Sequence, residues 1–316
     1  MTFKKLEDIN RITVLGAGTM GHSIAQVYAQ YGFEVDLVDL NKDVLGSALE
    51  KIRFNLNLLA KYNRVSSEDI PSILKRLNFT TELLSAAENA DYLVEAVNED
   101  RGVKRKVYAE LNEICSEDII FASNTSELNI FKLAKIKNPG RLIIQHWFRP
   151  AHIIPLVEIV PGRKTAQEII DISHCMLTKL RKKPIILNKF TNAFIVNKIQ
   201  QAINSAVFGL LLKGIATPEQ IDLAVKTSFS LRLPVIGVAQ NLDFVGLGVI
   251  SDVLKNMGLE LSIIKEKVDK GHYGVKTSKG IFDYGNRSEE EILSQTNEKY
   301  LKILDFLEKI DTFEPI

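Results

Sequence analysis

The sequence predicts an α/β domain followed by an all-α domain, and three observations carry that expectation. An apolar run from Arg11 to Leu15 stops at Gly16-Ala17-Gly18-Thr19-Met20-Gly21 and gives way to helical spacing. Short apolar runs then alternate with helical stretches as far as Leu187, the order of a parallel sheet with crossover helices. From Asn192 onward helical periodicity dominates, so the boundary is expected near Asn188, giving domains 1–188 and 189–316.

The elements follow in order. Arg11 to Leu15 is the first strand, Met20 to Tyr31 a helix closed by Gly32, and Glu34 to Leu40 a second strand, together a βαβ unit. A long helix is expected over about Val44 to Lys61. Then come a strand at Tyr92 to Val97, a helix at Val103 to Ile114 and a strand at Ile119 to Ser123. Arg141 to Gln145 and Leu156 to Val160 read as further strands separated by Trp147 to Pro155. A helix near Thr165 to Leu180 leads to a last strand at Lys183 to Leu187. Helices over Phe194 to Lys213, Pro218 to Phe229 and Phe244 to Lys270 fill the second domain.

Bulk composition narrows the function classes. At 316 residues and 46% hydrophobic the chain can bury a large core. Forty Lys and Arg against 39 Asp and Glu argue against nucleic-acid or membrane-surface binding through a basic field, which leaves small molecules as partners. No apolar run of signal-peptide length precedes the first strand and none approaches the ~20 residues of a membrane span, so a cytoplasmic location is expected. Cys115 and Cys175 each fall on an amphipathic helix, the pattern of buried thiols rather than a disulfide framework, and no metal site is expected.

The glycine motif has the context of a dinucleotide-binding, Rossmann-like domain. Gly16 permits the tight turn, Gly18 lets the backbone approach a pyrophosphate, and Gly21 allows close packing of helix on sheet, with Thr19 and Met20 between them. The helix N-terminus beyond attracts phosphates. Asp39 ends the second strand eighteen residues after Gly21, where a carboxylate accepts both ribose hydroxyls and repels a 2′-phosphate. NAD is therefore expected over NADP. The alternative for Asp39 is a helix cap or solvent acid ahead of Asn41.

His146 and Glu158, twelve residues apart on separate strand ends, supply a second constellation. Oxidising a secondary alcohol with NAD needs a base for the hydroxyl proton, and histidine suits that task. A carboxylate on the far ring nitrogen would fix the tautomer and stabilise imidazolium. Glu158 sits within Leu-Val-Glu-Ile-Val, where an unpaired acid is costly to bury, so it requires a partner. Ser126 and Asn197 are candidate neutral donors to the substrate oxygen. A histidine beside Trp147 and Phe148 is also what a packed core residue looks like.

The segments GAGTMG, Ala90 to Asp100, Ala122 to Leu128, HWFRP, Ile154 to Gly162, Phe194 to Ile199 and Gly274 to Tyr284 together resemble the NAD-dependent L-3-hydroxyacyl-CoA dehydrogenase family in order and spacing. The resemblance implies a Rossmann-like domain followed by a helical domain that dimerises. It makes His146 the general base, Glu158 its orienting acid, and Ser126 and Asn197 the donors to substrate. On the cofactor side it implies Glu99, Lys104 and Lys276. The alternative for Glu99 and Lys104 is a pair of surface charges that never meet, and for Lys276 a solvated loop lysine. Residues Ile52 to Ile70 and Ser230 to Gly237 resemble a short bacterial or archaeal branch, whose relatives include λ-crystallin-type gulonate dehydrogenases.

The chain departs from the family pattern at Arg149, where asparagine is usual. A guanidinium fork suits a carboxylate or phosphate, though it can equally turn into solvent. Asn192-Ala193 stands for Pro-Gly, Val238-Ala239-Gln240 replaces a segment in which Gly-Pro is common, and Ser205 replaces a glutamate. Lys51, Arg53 and Lys61 share a basic helix that could face a nucleotide tail or simply water. The expected reaction is hydride transfer between NAD and the 3-hydroxyl carbon of a short-chain L-3-hydroxyacyl-CoA. The alternatives are a free 3-hydroxy acid of gulonate or carnitine type as substrate, held by Arg149, and a non-catalytic, crystallin-like NAD-binding protein.

Overall fold

The computed structural model describes residues 3–313 and divides the chain into two compact units, Met1–Ala202 and Ile203–Ile316. The first is built on one eight-stranded sheet: β1 (Arg11–Leu15), β2 (Glu34–Val38), β3 (Leu77–Thr80), β4 (Tyr92–Glu95), β5 (Ile120–Ser123), β6 (Leu142–Trp147), β7 (Leu156–Pro161) and β8 (Lys183–Ile186). Its order is β3-β2-β1-β4-β5-β6-β7-β8. The chain reverses its direction of travel across the sheet between β1 and β4, which opens a crevice at their carboxyl ends, the place where such sheets bind ligands.

Seven strands and the four helices expected among them follow the expected alternation, but two features of the sheet differ. β3 was not foreseen: its four residues are too short and too mixed in exposure to show a period of two. The β6–β7 pair is antiparallel, with His146 directly opposite Glu158, because the short Phe148–Pro155 connection returns without a crossover helix. β7 and β8 are again parallel.

Successive residues of the central strands feed opposite faces of the sheet. Val14, Val94, Ile120 and Ile143 enter one apolar cluster with the helix Gly21–Gln30, while Leu15, Leu93, Phe121 and Ile144 enter another with the helix Arg101–Ile114. Cys115 is buried, as expected, and burial pushes its thiol up to about 11. Cys175 is exposed, contrary to expectation, because it lies on the outer side of the helix Gln167–Lys179.

The second unit is helical. The single helix expected over Phe244 to Lys270 is instead Asn241–Val245, Leu247–Asn256 and Ser262–Asp269, interrupted at Gly246 and Gly258, both at positive φ. Asp243 is buried and accepts the N–H groups of Ile281 and Phe282 and the Tyr284 hydroxyl, anchoring the Gly274 to Tyr284 segment. A last helix, Glu289–Lys309, was not anticipated, although Ser288 and Glu291 form a capping box at its start. Among the described residues no helix is long and apolar enough to cross a membrane, and no cluster of ligands could hold a metal ion.

Candidate active site

The glycine turn is shaped by contact rather than by composition. A Cβ on Gly21 would lie 1.6 Å from the Gly16 carbonyl oxygen, and one on Gly16 would lie 2.6 Å from that of Ala96, so helix, turn and β4 meet backbone to backbone. Gly18 and Thr19 are exposed, and nothing lies within 4 Å of a Cβ built on Gly18. Asp39 leaves β2 and accepts the Ala17 N–H at 2.9 Å through one oxygen and the Asn41 N–H at 3.0 Å through the other. Its carboxylate thus stands beside the turn, while Asn41 itself caps the next helix. Open backbone at Gly18, a helix N-terminus and an adjoining carboxylate fit the pyrophosphate and ribose of NAD.

At the carboxyl end of β6, opposite the first half of β7, His146 Nδ1 lies 2.7 Å from Glu158 Oε2. Both side chains are buried. The other Glu158 oxygen accepts the N–H groups of Ile195 and Val196, each at 3.0 Å, at the start of the helix Val196–Leu212. Glu158 therefore has every need met, and its His146 contact fixes the ring so that Nε2 faces away. Phe148 and Phe194 pack on the imidazole at 4.5 and 5.1 Å. Asn197 follows Val196 directly, and among the described residues its side-chain amide has no partner.

The loop after β5 carries Ser126, and an unforeseen network orders it. Glu99 Oε1 accepts the Thr125 hydroxyl at 2.6 Å and the N–H groups of Ser126, Glu127 and Leu128 at 2.9 to 3.2 Å. Burial would raise the Glu99 carboxyl, but the Thr125 hydroxyl, these amides and the Lys104 charge outweigh it and hold it below the usual range. Lys104 is fully buried, 2.5 Å from Glu95 and 3.3 Å from Glu99, so the two charges assigned to the cofactor side do meet. Glu95, missed in the sequence, ends β4 and also accepts Ser123 Oγ at 2.6 Å and the Val97 N–H at 3.0 Å. Its signal was a carboxylate closing the apolar run Tyr-Leu-Val. Asn124, also missed, accepts the Trp147 N–H at 3.0 Å and so ties this loop to the strand of His146.

Arg149 is exposed on the turn between β6 and β7, and among the described residues its guanidinium has no hydrogen-bond or ion-pair partner. The turn itself is rigidly held. Buried Lys182 donates to the carbonyls of Ala151 and Ile154, and Ser23 bonds both the ring and the N–H of His152. Burial lowers Lys182 to about 8, and burial with the charges of His22 and Lys182 lowers His152 to about 4. His22, bonded to the Gly18 carbonyl at 2.7 Å, is lowered by burial and further by Lys51 and Arg149. Lys276 lies in the second unit, exposed on the single turn Val275–Thr277.

A nucleotide cradle and a histidine–carboxylate pair on one sheet define an oxidoreductase that uses NAD. The chain belongs to the 3-hydroxyacyl-CoA dehydrogenase family: residues 11–190 match its NAD binding domain and residues 194–284 its C-terminal domain. It is 28% identical over 309 residues to the 5-formyl-3-hydroxy-2-methylpyridine 4-carboxylate 5-dehydrogenase of Mesorhizobium japonicum, covering 95% of this chain and 99% of that one. It is 30% identical to a probable 3-hydroxybutyryl-CoA dehydrogenase of Bacillus subtilis, covering 89% and 99%. The crystal structure of a 3-hydroxyacyl-CoA dehydrogenase from Archaeoglobus fulgidus superposes with a TM-score of 0.78 at 28% identity, covering 94% of this chain and 99% of that one.

Two outcomes follow from these networks. Lys104→Met leaves Glu95 buried without its cation, so urea unfolding should show a loss of about 3–5 kcal/mol, and adding Glu95→Gln should recover a large part of it. Equal stability of wild type and Lys104→Met would remove the buried pair from the account. For His152, the unfolded ring binds a proton near its ordinary value of 6.5 while the folded ring resists to about 4. Stability is therefore full above pH 6.5 and declines as pH falls through that window. His152→Asn should flatten this part of a pH series of urea midpoints.

Proposed function

We propose that the chain interconverts a short-chain L-3-hydroxyacyl-CoA and its 3-ketoacyl-CoA. The carrying observation is the buried His146–Glu158 contact of 2.7 Å, with the second carboxylate oxygen saturated by two backbone N–H groups. Gly16, Gly18, Thr19, Met20, Gly21 and Asp39 would hold NAD, which would supply the acceptor for the hydride leaving the 3-hydroxyl carbon. His146 Nε2 takes the proton of the substrate hydroxyl as that oxygen becomes a carbonyl. Glu158 keeps Nδ1 protonated and stabilises the resulting imidazolium. Ser126 Oγ and the Asn197 amide donate to the same oxygen, where charge develops. Glu99 acts by holding the Ser126 loop and Lys104 by holding Glu99.

A second reading, the free 3-hydroxy acid, is favoured by one observation. Arg149 offers a guanidinium without a partner among the described residues, three residues from the base, on a turn that Lys182 and Ser23 anchor. The Mesorhizobium relative is named for a substrate that carries a carboxylate. A cation matched to such a group would be a specificity determinant rather than part of the proton-transfer pair.

The reading includes a homodimer in the cytoplasm. Phe208, Leu212 and Ile215 present large apolar surfaces, Leu212 being 87% exposed, which favours a partner subunit.

Oxidation of NADH with acetoacetyl-CoA, set against a panel of free 3-keto acids, checks the substrate. Activity with the ester and none with the acids is expected, and the reverse would select the second reading, in which Arg149→Asn should abolish turnover of the acids. His146→Gln should keep NADH binding yet lose about 10²-fold or more in kcat. An unchanged rate would overturn the assignment of the base, and inactivity on every substrate would favour the crystallin-like alternative. Light scattering should give twice the 35.5 kDa chain mass, and Leu212→Glu should shift it toward monomer, with fractionation locating the protein in the cytoplasm.

A further inference from the structure

The first unit contains a second cavity of about 600 Å³, where β6 begins and β7 ends. It lies three rungs along these strands from the His146–Glu158 pair, roughly 10 Å away. That volume suits a ligand of nucleotide size. The wall carries Lys132, Arg163, Lys164 and Lys189 and no acidic residue. Among the described residues none of these cations makes an ion pair. Four like charges around one hollow repel one another, and an anion seated among them relieves that repulsion.

The cavity also has an apolar side. Phe131 and Phe190 meet edge to face at 6.3 Å, and Gly162 makes room for Phe131, since a Cβ there would lie 2.5 Å from its ring. Asn129 adds an enclosed carbonyl oxygen that has no hydrogen-bond partner among the described residues. Cations, an aromatic wall and a waiting acceptor match a molecule with phosphates, a flat or apolar body and a donor group.

A line of rings runs from this cavity to the base. Phe190 packs edge-on against Phe194 at 5.9 Å, and Phe194 lies 5.1 Å from the His146 ring. Ala193 and Phe194 hold φ values of +61° and +50°, which side-chain-bearing residues adopt only under constraint. The next two N–H groups are those that hold Glu158. Phe190 is thus linked by packing to the His146 ring and, through the backbone from Phe194 to Val196, to Glu158.

We propose that this cavity is an effector site for an organophosphate anion of nucleotide size, coupled to His146 through Phe190 and Phe194. Calorimetry on enzyme saturated with NADH, titrated with ADP and separately with inorganic pyrophosphate, tests the site. ADP should bind, pyrophosphate more weakly because it cannot use the aromatic wall, and Arg163→Ala/Lys189→Ala should weaken ADP at least 10-fold. ADP at saturation should change turnover at least threefold in wild type and not in Phe190→Ala, which should still bind it, more weakly, through the cations and Phe131. No binding at millimolar ligand, equal binding by the double variant, pyrophosphate equal to ADP, or a rate response that survives Phe190→Ala would each overturn the proposal. The calorimetric arm needs no substrate, so its failure is distinct from any failure of the dehydrogenase assignment.

Discussion

Glu158 is a carboxylate with no exposed surface, and most of the site follows from the need to satisfy it. Left unpaired there, an acid would cost several kcal/mol. One oxygen takes the His146 ring and the other takes two amides at the start of a helix. The same atom set thus joins β6 to β7 and brings the start of the Val196–Leu212 helix to His146. Asn197 is carried into place by that attachment, one residue beyond the bonded amide. Burial of one acid ties three separate segments together at one point.

A second buried acid does for the loop after β5 what Glu158 does for the helix. Glu95 would be as costly as Glu158 without Lys104, and Lys104 as costly without Glu95. Together they leave one lysine face for Glu99, which gathers four donors from Thr125 to Leu128 through one oxygen. The alternative of two surface charges that never meet is excluded by the burial of Lys104. The influence of Lys104 on the site then passes through Glu99 and the Ser126 loop, since an enclosed ammonium offers no face to a ligand.

These networks explain which parts were legible in the sequence. The glycine turn was legible because its spacing answers a backbone constraint, the close approaches at Gly16 and Gly21, that no other residue meets. The His146 and Glu158 pairing was legible because an acid inside Leu-Val-Glu-Ile-Val has to find a partner. Glu95 has the same logic but sits at a strand end, where an acid reads equally well as solvated. β3 offers four residues and no usable period, while Gly246 and Gly258 interrupt a helical pattern whose apolar spacing continues past them. The antiparallel return of β7 depends on the length of a turn, which periodicity does not encode.

Arg149 occupies a different kind of position from the residues around it. His146, Glu158, Glu99 and Lys104 are fixed by their partners, whereas among the described residues the Arg149 guanidinium has none, although Lys182 and Ser23 anchor the turn that bears it. A long side chain on flexible backbone would lose much of its electrostatic value to entropy and solvent. On a fixed turn the cost of ordering the backbone is already met within the fold. Its charge also acts on His22, together with Lys51, so the positive groups beside the glycine turn oppose one another in the absence of an anion. In the proposed reading, discrimination between substrates would reside in electrostatics at this turn, separate from the His146–Glu158 pair, and one substitution could change the former without touching the latter.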